Sequence, residues 1–339
     1  MVAARKARWV QFLDGTGRRR FLFQIGVPDP ELGPRPLPHP DQKPARIEFA
    51  WRDYERHCAR ARWLDDDTLP HLNPYTGTEI FAAAFGCEVY RPNDTMPSAR
   101  PLIHHAREVA AVRVPNLDHP ALAILFEIAD ELRRRAGPHA LMKVVDLQSP
   151  MDIAALIWEK GGFYTACHEA PEAVHELAAK VRALLCAFLD EWFRRYGREF
   201  LAHYPHYYMP CGITLSEDEV GAVNAAMFET LFLPELAELS QRYGGIGIHC
   251  CANARHQWAG FKRIPGLRLL NLVQPKARIQ EAYRCFAGHC PQMHCWSGEG
   301  EATTWLAQHP APERVVLQTG AQTREEAIAL AAKLRALCG

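Results

Sequence analysis

The sequence predicts an α/β fold, a (β/α)8 TIM barrel with an N-terminal Pro-rich extension. Two observations lead there. About eight strand candidates, near residues 23, 88, 144, 208, 247, 270, 293 and 316, alternate with helix-like stretches. Strand-then-helix order repeated over this length calls for parallel strands, because the crossover between parallel neighbours is long and usually helical. In such a barrel, chemistry sits at the carboxyl ends of the strands, and that rule gathers the scattered polar residues behind the strand candidates. A doubly wound open sheet is the alternative. Gly244-Gly245 and Gly161-Gly162 lack the G-x-G-x-x-G or GKS/T surroundings of a phosphate-binding turn, so no nucleotide site is expected.

Residues 1–64 are expected to form a strand, a Pro-rich loop and a helix packed on the barrel. Residues 65–339 form the barrel itself, within one structural domain. The apolar run 21–26 reads as the first strand, and the prolines at 28, 30, 34, 36, 38, 40 and 44 forbid regular structure after it. A helix follows over about 45–64, then a loop through Asn73-Pro74, a helix over 79–85 stopped by Gly86, and a short strand over 87–90. Residues 119–135 are helical in pattern and 141–147 form a strand. In 171–196, Val174, Leu177, Val181, Leu185, Phe188 and Trp192 repeat at helical spacing. The remaining strand candidates are 206–212, 245–250, 267–273, 291–296 and 315–318, and Thr323 with Glu326 makes a capping box for the last helix.

Composition narrows the function. With 339 residues, 48% hydrophobic and 23% charged, the chain can bury a large core. Lys plus Arg and Asp plus Glu are 39 each, so no basic excess points to nucleic acid, and Arg18-Arg19-Arg20 reads as a solvated loop. Eleven scattered cysteines, an odd number, argue against a disulfide framework and for a reducing compartment, the cytoplasm by default. The basic N-terminus has no apolar segment behind it and no run of 18 apolar residues occurs, so no membrane span is expected.

The stretch Ile246-Gly-Ile-His-Cys-Cys-Ala-Asn253 puts His249 and Cys251 two residues apart, hence on one side of an extended segment. Imidazole and thiolate are ligands that zinc prefers. The other reading of the same residues is a buried strand end with a satisfied histidine and inert thiols. The barrel rule assembles further candidates behind other strands: Gln148 and Ser149, then Ser216, Glu217 and Asp218, then Asn271 and Gln274, His294 and Cys295, and Thr319 and Gln322.

Five segments, in order, resemble those of the uroporphyrinogen decarboxylase superfamily: Gly77-Thr-Glu-Ile-Phe-Ala-Ala-Ala-Phe-Gly86, Val114-Pro-Asn-Leu117, Leu147-Gln-Ser-Pro-Met-Asp-Ile153, Gly212-Ile-Thr-Leu-Ser-Glu-Asp218 and Ile248-His-Cys-Cys-Ala-Asn253. The resemblance covers about residues 75–335. It implies a (β/α)8 barrel and one of two chemistries: metal-free porphyrinogen decarboxylation, or zinc-dependent methyl transfer between corrinoids and thiols such as coenzyme M. The decarboxylase branch carries an arginine-rich segment near the first strand and a catalytic Asp at the end of the second. Here the first strand is followed by no arginine until Arg35, and 87–94 offers only Arg91 and Asp94. The methyltransferase branch carries His-x-Cys behind strand five, matched by His249 and Cys251, and a Cys behind strand eight, where this chain has Thr319. Cys295 is the nearest replacement as third zinc ligand, while Cys290 lies before its strand and on the wrong side. Glu217, Asp218 and Gln148 are then expected to position substrate or support a ligand. The resemblance thus implies zinc, a small-molecule substrate and a corrinoid carried by a partner protein. A metal-free lyase, which would need a ring of arginines in the barrel mouth, and a non-catalytic binding module are the alternatives.

Overall fold

The computed structural model describes residues 2–17, 21–294, 303–304 and 314–338. Helix α1 (Val2–Asp14) precedes β1 (Phe21–Gly26), and the Pro-rich segment leads into α2 (Lys43–Ala61). Then come β2 (His71–Leu72), α3 (Ile80–Ala84), the strands β3 (Val89–Tyr90) and β4 (Ser98–Ala99), and α4 (Pro120–Ala136). β5 (Leu141–Lys143), α5 (Pro150–Ile157), α6 (Lys160–Glu169) and α7 (Pro171–Tyr196) follow, then β6 (Phe200–Leu201), β7 (Tyr208–Met209) and β8 (Ile213–Ser216). The chain continues through α8 (Ala225–Met227), α9 (Leu233–Tyr243), β9 (Ile246–Cys250), α10 (Trp258–Phe261), β10 (Leu267–Leu272), α11 (Lys276–Cys285) and β11 (Val315–Gly320). Helix α12 (Arg324–Cys338) is the last.

The architecture is α/β with a chain of parallel pairings. β1 pairs with β11, Gln292 bridges β11 to β10, β10 pairs with β9 and β9 with β8. Beyond β8, Gln148 bridges to Ser216, and β5 pairs with β2. Between β2 and β1 no β-bridge occurs among the described residues. There the Asp67 N–H donates to the Phe23 carbonyl at 2.8 Å, while the carboxylates of Asp67 and Asp66 accept the N–H groups of Phe23 and Ile25 at 3.0 and 3.1 Å. Side-chain oxygens thus take the donors that a neighbouring strand would otherwise satisfy.

Three sequence expectations are corrected. The strand at 87–90 is real but pairs antiparallel with β4 as a surface hairpin, and the second parallel strand is β2, two residues long between Pro70 and Asn73. The candidate at 206–212 covers β7, which runs antiparallel to β6, whereas the parallel strand that carries Ser216 is β8. Gly212, at φ +102° with the Gly245 carbonyl 2.6 Å from where a Cβ would stand, makes the tight entry to β8 that only glycine permits. The candidate at 291–296 shows a bridge at Gln292, and from Cys295 on it lies outside the described residues, as does Arg18-Arg19-Arg20. The N-terminus begins with a helix, whose Arg5, Trp9, Phe12 and Leu13 are buried.

One apolar core runs from Trp9 to Leu334 and includes the stripe of α7 at Val174, Leu177, Val181, Leu185, Phe188 and Trp192, as its spacing predicts. The capping box at the last helix is present: the Glu326 N–H donates to Thr323 Oγ1 at 3.2 Å, and the Thr323 N–H to Glu326 Oε2 at 3.4 Å. No helix among the described residues is long and apolar enough to cross a membrane.

Candidate metal centre and cavity

Along β9, Ile246, Ile248 and Cys250 are buried on one side, so Gly247, His249 and Cys251 fall on the other. Gly247 has no side chain because the hydroxyl of buried Tyr207 occupies the space, 1.8 Å from where a Cβ would stand. Register then builds a polar tier. His249 lies level with Ser216 on β8 and Asn271 on β10, and Gln148 lies level with Ser216.

Asn271 is fully buried and fixes the imidazole. Its side-chain N–H donates to the Met293 carbonyl, which orients the amide, so that its Oδ1 accepts the His249 Nδ1–H at 2.5 Å. That assignment leaves Nε2 of His249 as the nitrogen with a free lone pair. Burial also holds His249 below its usual pKa, favouring the neutral form that ligates metals.

Asp218, on the turn after β8, completes the cluster. One of its oxygens accepts the Cys251 N–H at 2.6 Å and the other faces the Cys251 thiol at 3.0 Å. Ligand atoms of Asp218, His249 and Cys251 all lie within 4.8 Å of one another. Burial and then the neighbouring Asp218 push the Cys251 thiol up to about 12, as expected of a thiol facing a carboxylate without a cation between them. One imidazole at the end of β9, with one thiol and one carboxylate just beyond β9 and β8, could hold a divalent zinc ion with a position left for a substrate. Gln274 braces the loop by donating to the carbonyls of Cys251 and Ala252 at 3.1 and 2.6 Å.

These residues sit in a cavity of about 470 Å³. Asp218, His249, Cys251 and Gln148 line it, and the Gln148 side-chain oxygen has no hydrogen-bond partner. Glu217 does not reach the cavity. It is fully buried with Asp152, and burial first, then their mutual repulsion, raises its carboxyl so that the pair holds a proton past the ordinary carboxylate range. Asp152 in turn accepts the N–H groups of Asp218 (2.9 and 3.1 Å) and Glu219 (2.9 Å), which shapes the turn that presents Asp218. Cys250 and Cys290 are buried and stand outside the cluster, as alternation predicts for the first and strand position for the second. Cys295 lies outside the described residues. Thr319 pairs with Ile25 and lines a neighbouring cavity, and His294 is buried with its Nε2 beside Gln292 Oε1 at 3.0 Å.

Sequence reasoning missed the opposite wall. Lys143 and Asp146 come from β5 and the residues after it, His203 and His206 from the segment between β6 and β7, and Arg35 from the Pro-rich segment. Burial lowers the Lys143 ammonium to about 8, against the pull of Asp146, and Lys143 Nζ donates to His206 Nε2 at 3.0 Å. Burial raises the Asp146 carboxyl to about 6, Lys143 opposing. His203 is held neutral by burial, its Nε2 2.9 Å from Ser216 Oγ. An Asx turn, from the Tyr75 N–H to Asn73 Oδ1 at 3.0 Å, holds Tyr75 at φ +46°, and Arg35 lies over its ring at 5.3 Å. The signals were present: a lysine and an aspartate within an apolar strand, and two histidines framing Tyr204-Pro205.

A model of the family described as Uroporphyrinogen decarboxylase (URO-D) matches residues 75–285. The chain belongs to the URO-D family. A search of curated proteins gives no match. Among solved structures, a methyltransferase from Methanosarcina mazei is similar over 99% of both chains, with a TM-score of 0.69 and 12% identity, a likeness of fold. The position behind the second parallel strand, just ahead of the matched residues, is Asn73 and not the aspartate that the resemblance implies for the decarboxylase branch. Arg35 and Lys143 are the Arg and Lys side chains among the described residues lining the cavity, so the ring of arginines expected for a lyase is not formed there.

Proposed function

We propose that this URO-D family member is a zinc-dependent methyltransferase built on a (β/α)8 barrel, moving a methyl group between a corrinoid carried by a partner protein and a thiol or related small acceptor. The observation that carries the reading is the convergence of His249, Cys251 and Asp218, with the imidazole fixed through Asn271. Asp218 is our candidate for the third ligand; Cys295, the candidate from sequence, lies outside the described residues. Bound there, zinc would supply Lewis acidity that lowers the pKa of a substrate thiol toward neutrality.

The chain's own residues divide the remaining work. Asn271 holds the His249 ring in place, and the Asp152–Glu217 pair holds the Asp218 turn. Asp146, ionised at neutral pH, is the cavity base that accepts a proton released by an acceptor thiol. Gln148, with an oxygen to spare, orients the acceptor. Met96, Tyr204 and Val273 are exposed apolar residues on the cavity rim, suited to a partner that delivers a large apolar-faced cofactor. Nine free cysteines among the described residues support a reducing compartment, the cytoplasm.

The test is metal analysis of protein purified without chelator, followed by transfer from free methylcobalamin to a small thiol. One zinc per chain and zinc-dependent demethylation are expected. Protein that stays metal-free after reconstitution with excess zinc defeats the proposal. One observation favours the lyase reading, namely Asp146 beside Lys143 in the cavity. Decarboxylation of uroporphyrinogen at an enzymatic rate would move the function to that branch.

A further inference from the structure

A second cavity, of about 300 Å³, lies between the Pro-rich segment, α3 and α4. Its walls are unlike those of the metal-centre cavity. Ile80, Ala83, Ile124 and Leu125 supply an apolar half, and Arg46, Glu79 and Arg91 a charged one. Arg46 and Glu79 are 2% and 5% exposed, yet they act on each other through space only: Glu79 Oε2 and Arg46 Nε have no hydrogen-bond partner. The other nitrogens of Arg46 make long contacts to the Pro38 and Pro74 carbonyls, both 3.4 Å, and one of 3.0 Å to that of Tyr75. Arg91 makes a single 3.5 Å contact, to the Val89 carbonyl.

Buried charges are ordinarily paired and hydrogen-bonded. Here the buried Arg46 and Glu79, with a donor and an acceptor to spare, line the same cavity as the exposed guanidinium of Arg91. Burial raises the Glu79 carboxyl to about 6, with its own backbone N–H and then Arg91 and Arg46 opposing, so it is largely ionised at neutral pH. An ammonium alone would meet two cations, and a carboxylate alone would leave Glu79 Oε2 without a donor. A ligand head carrying both a carboxylate and an adjacent N–H or O–H donor satisfies all three groups, with an apolar side chain against Ile80 and Leu125.

We propose that this cavity is a second binding site, for an α-amino or α-hydroxy acid with an apolar side chain. Arg46 and Arg91 take its carboxylate and Glu79 its donor. The site adjoins the metal-centre cavity at Thr76, which lines both, but shares none of Asp218, His249 and Cys251 and does not depend on methyl transfer.

Isothermal titration of the zinc-loaded full chain tests it, with L-leucine, L-phenylalanine and 2-hydroxy-4-methylpentanoate as probes, and 4-methylpentanoate and 3-methylbutylamine as controls lacking one half of the head. At least one probe should bind. The matching control should be weaker by about tenfold or more, because each loses a charge-assisted hydrogen bond. Glu79→Gln should weaken L-leucine by about tenfold, and Ala83→Leu, checked for folding by thermal unfolding, should abolish binding by filling the cavity. Cys251→Ala should leave amino-acid binding unchanged while lowering zinc content, which separates failure of this site from failure of the metal centre. No binding of any probe at millimolar concentration, or equal binding by wild type, Glu79→Gln and folded Ala83→Leu, overturns the proposal.

Discussion

Replacing Asn271 with alanine removes no metal ligand and still should release zinc. Asn271 Oδ1 holds the Nδ1–H of His249 at 2.5 Å, and its amide N–H is anchored on the Met293 carbonyl. Without it, the imidazole is free to rotate and to place its proton on Nε2, where the lone pair is wanted. Loss of such an outer partner costs roughly 10- to 100-fold in metal affinity, or about 1.4–2.7 kcal/mol. The fully buried Met293 carbonyl contact is lost as well, at roughly 1–3 kcal/mol of folding stability. Competition with a chromogenic chelator reads the first effect, and urea unfolding of the zinc-free proteins reads the second. Asn271→Asp separates them: it keeps an acceptor for Nδ1–H and loses the donor to Met293, so zinc affinity should stay within about threefold while stability falls. Folded Asn271→Ala that binds zinc as tightly as wild type would refute the idea that this amide sets the ligand.

Cys251→Ser should weaken zinc binding by about tenfold or more, while Cys250→Ser and Cys290→Ser, both buried and outside the cluster, should change it by less than about threefold in the same chelator competition. Glu217→Gln should leave zinc affinity intact and flatten the pH dependence of stability. The Asp152–Glu217 pair has raised values in the folded state, so its contribution is full below the ordinary carboxylate range, about pH 4, and is lost as pH rises toward neutrality. Urea titrations across that window should therefore show a shallower decline for the variant. Lys143→Met should stabilise the fold at pH 7 by roughly 1–3 kcal/mol, since it removes a buried charge. Its advantage over wild type should shrink between about 8 and 10.5, where folded Lys143 has lost its proton and the unfolded lysine has not.

Legibility in the sequence followed element length and local signal. β9 and β10 announce themselves as apolar runs, α7 by long helical spacing, and α12 by its capping box. β2 is two residues between prolines at 70 and 74, too short for any period to register, and so β3, a hairpin strand with more apolar residues, stood in for it. Helix α1 was hidden by its charge, although Arg5, Trp9, Phe12 and Leu13 carry its buried stripe. At the site, His249 and Cys251 were readable because alternation alone puts them on one side. Asp218 and Glu217 were not separable, because which of two adjacent carboxylates faces the cavity depends on a turn held by Asp152, 66 residues earlier. The wall of Lys143, His203, His206 and Arg35 comes from three distant segments, and only tertiary packing brings them together.

Zinc K-edge X-ray absorption on protein reconstituted with one equivalent of zinc tests the metal centre most directly. The predicted shell holds one sulfur at about 2.3 Å, from Cys251, with nitrogen and oxygen neighbours at about 2.0–2.2 Å from His249, Asp218 and solvent. Two sulfurs would replace Asp218 by Cys295 as third ligand, and a shell without sulfur would contradict the site altogether.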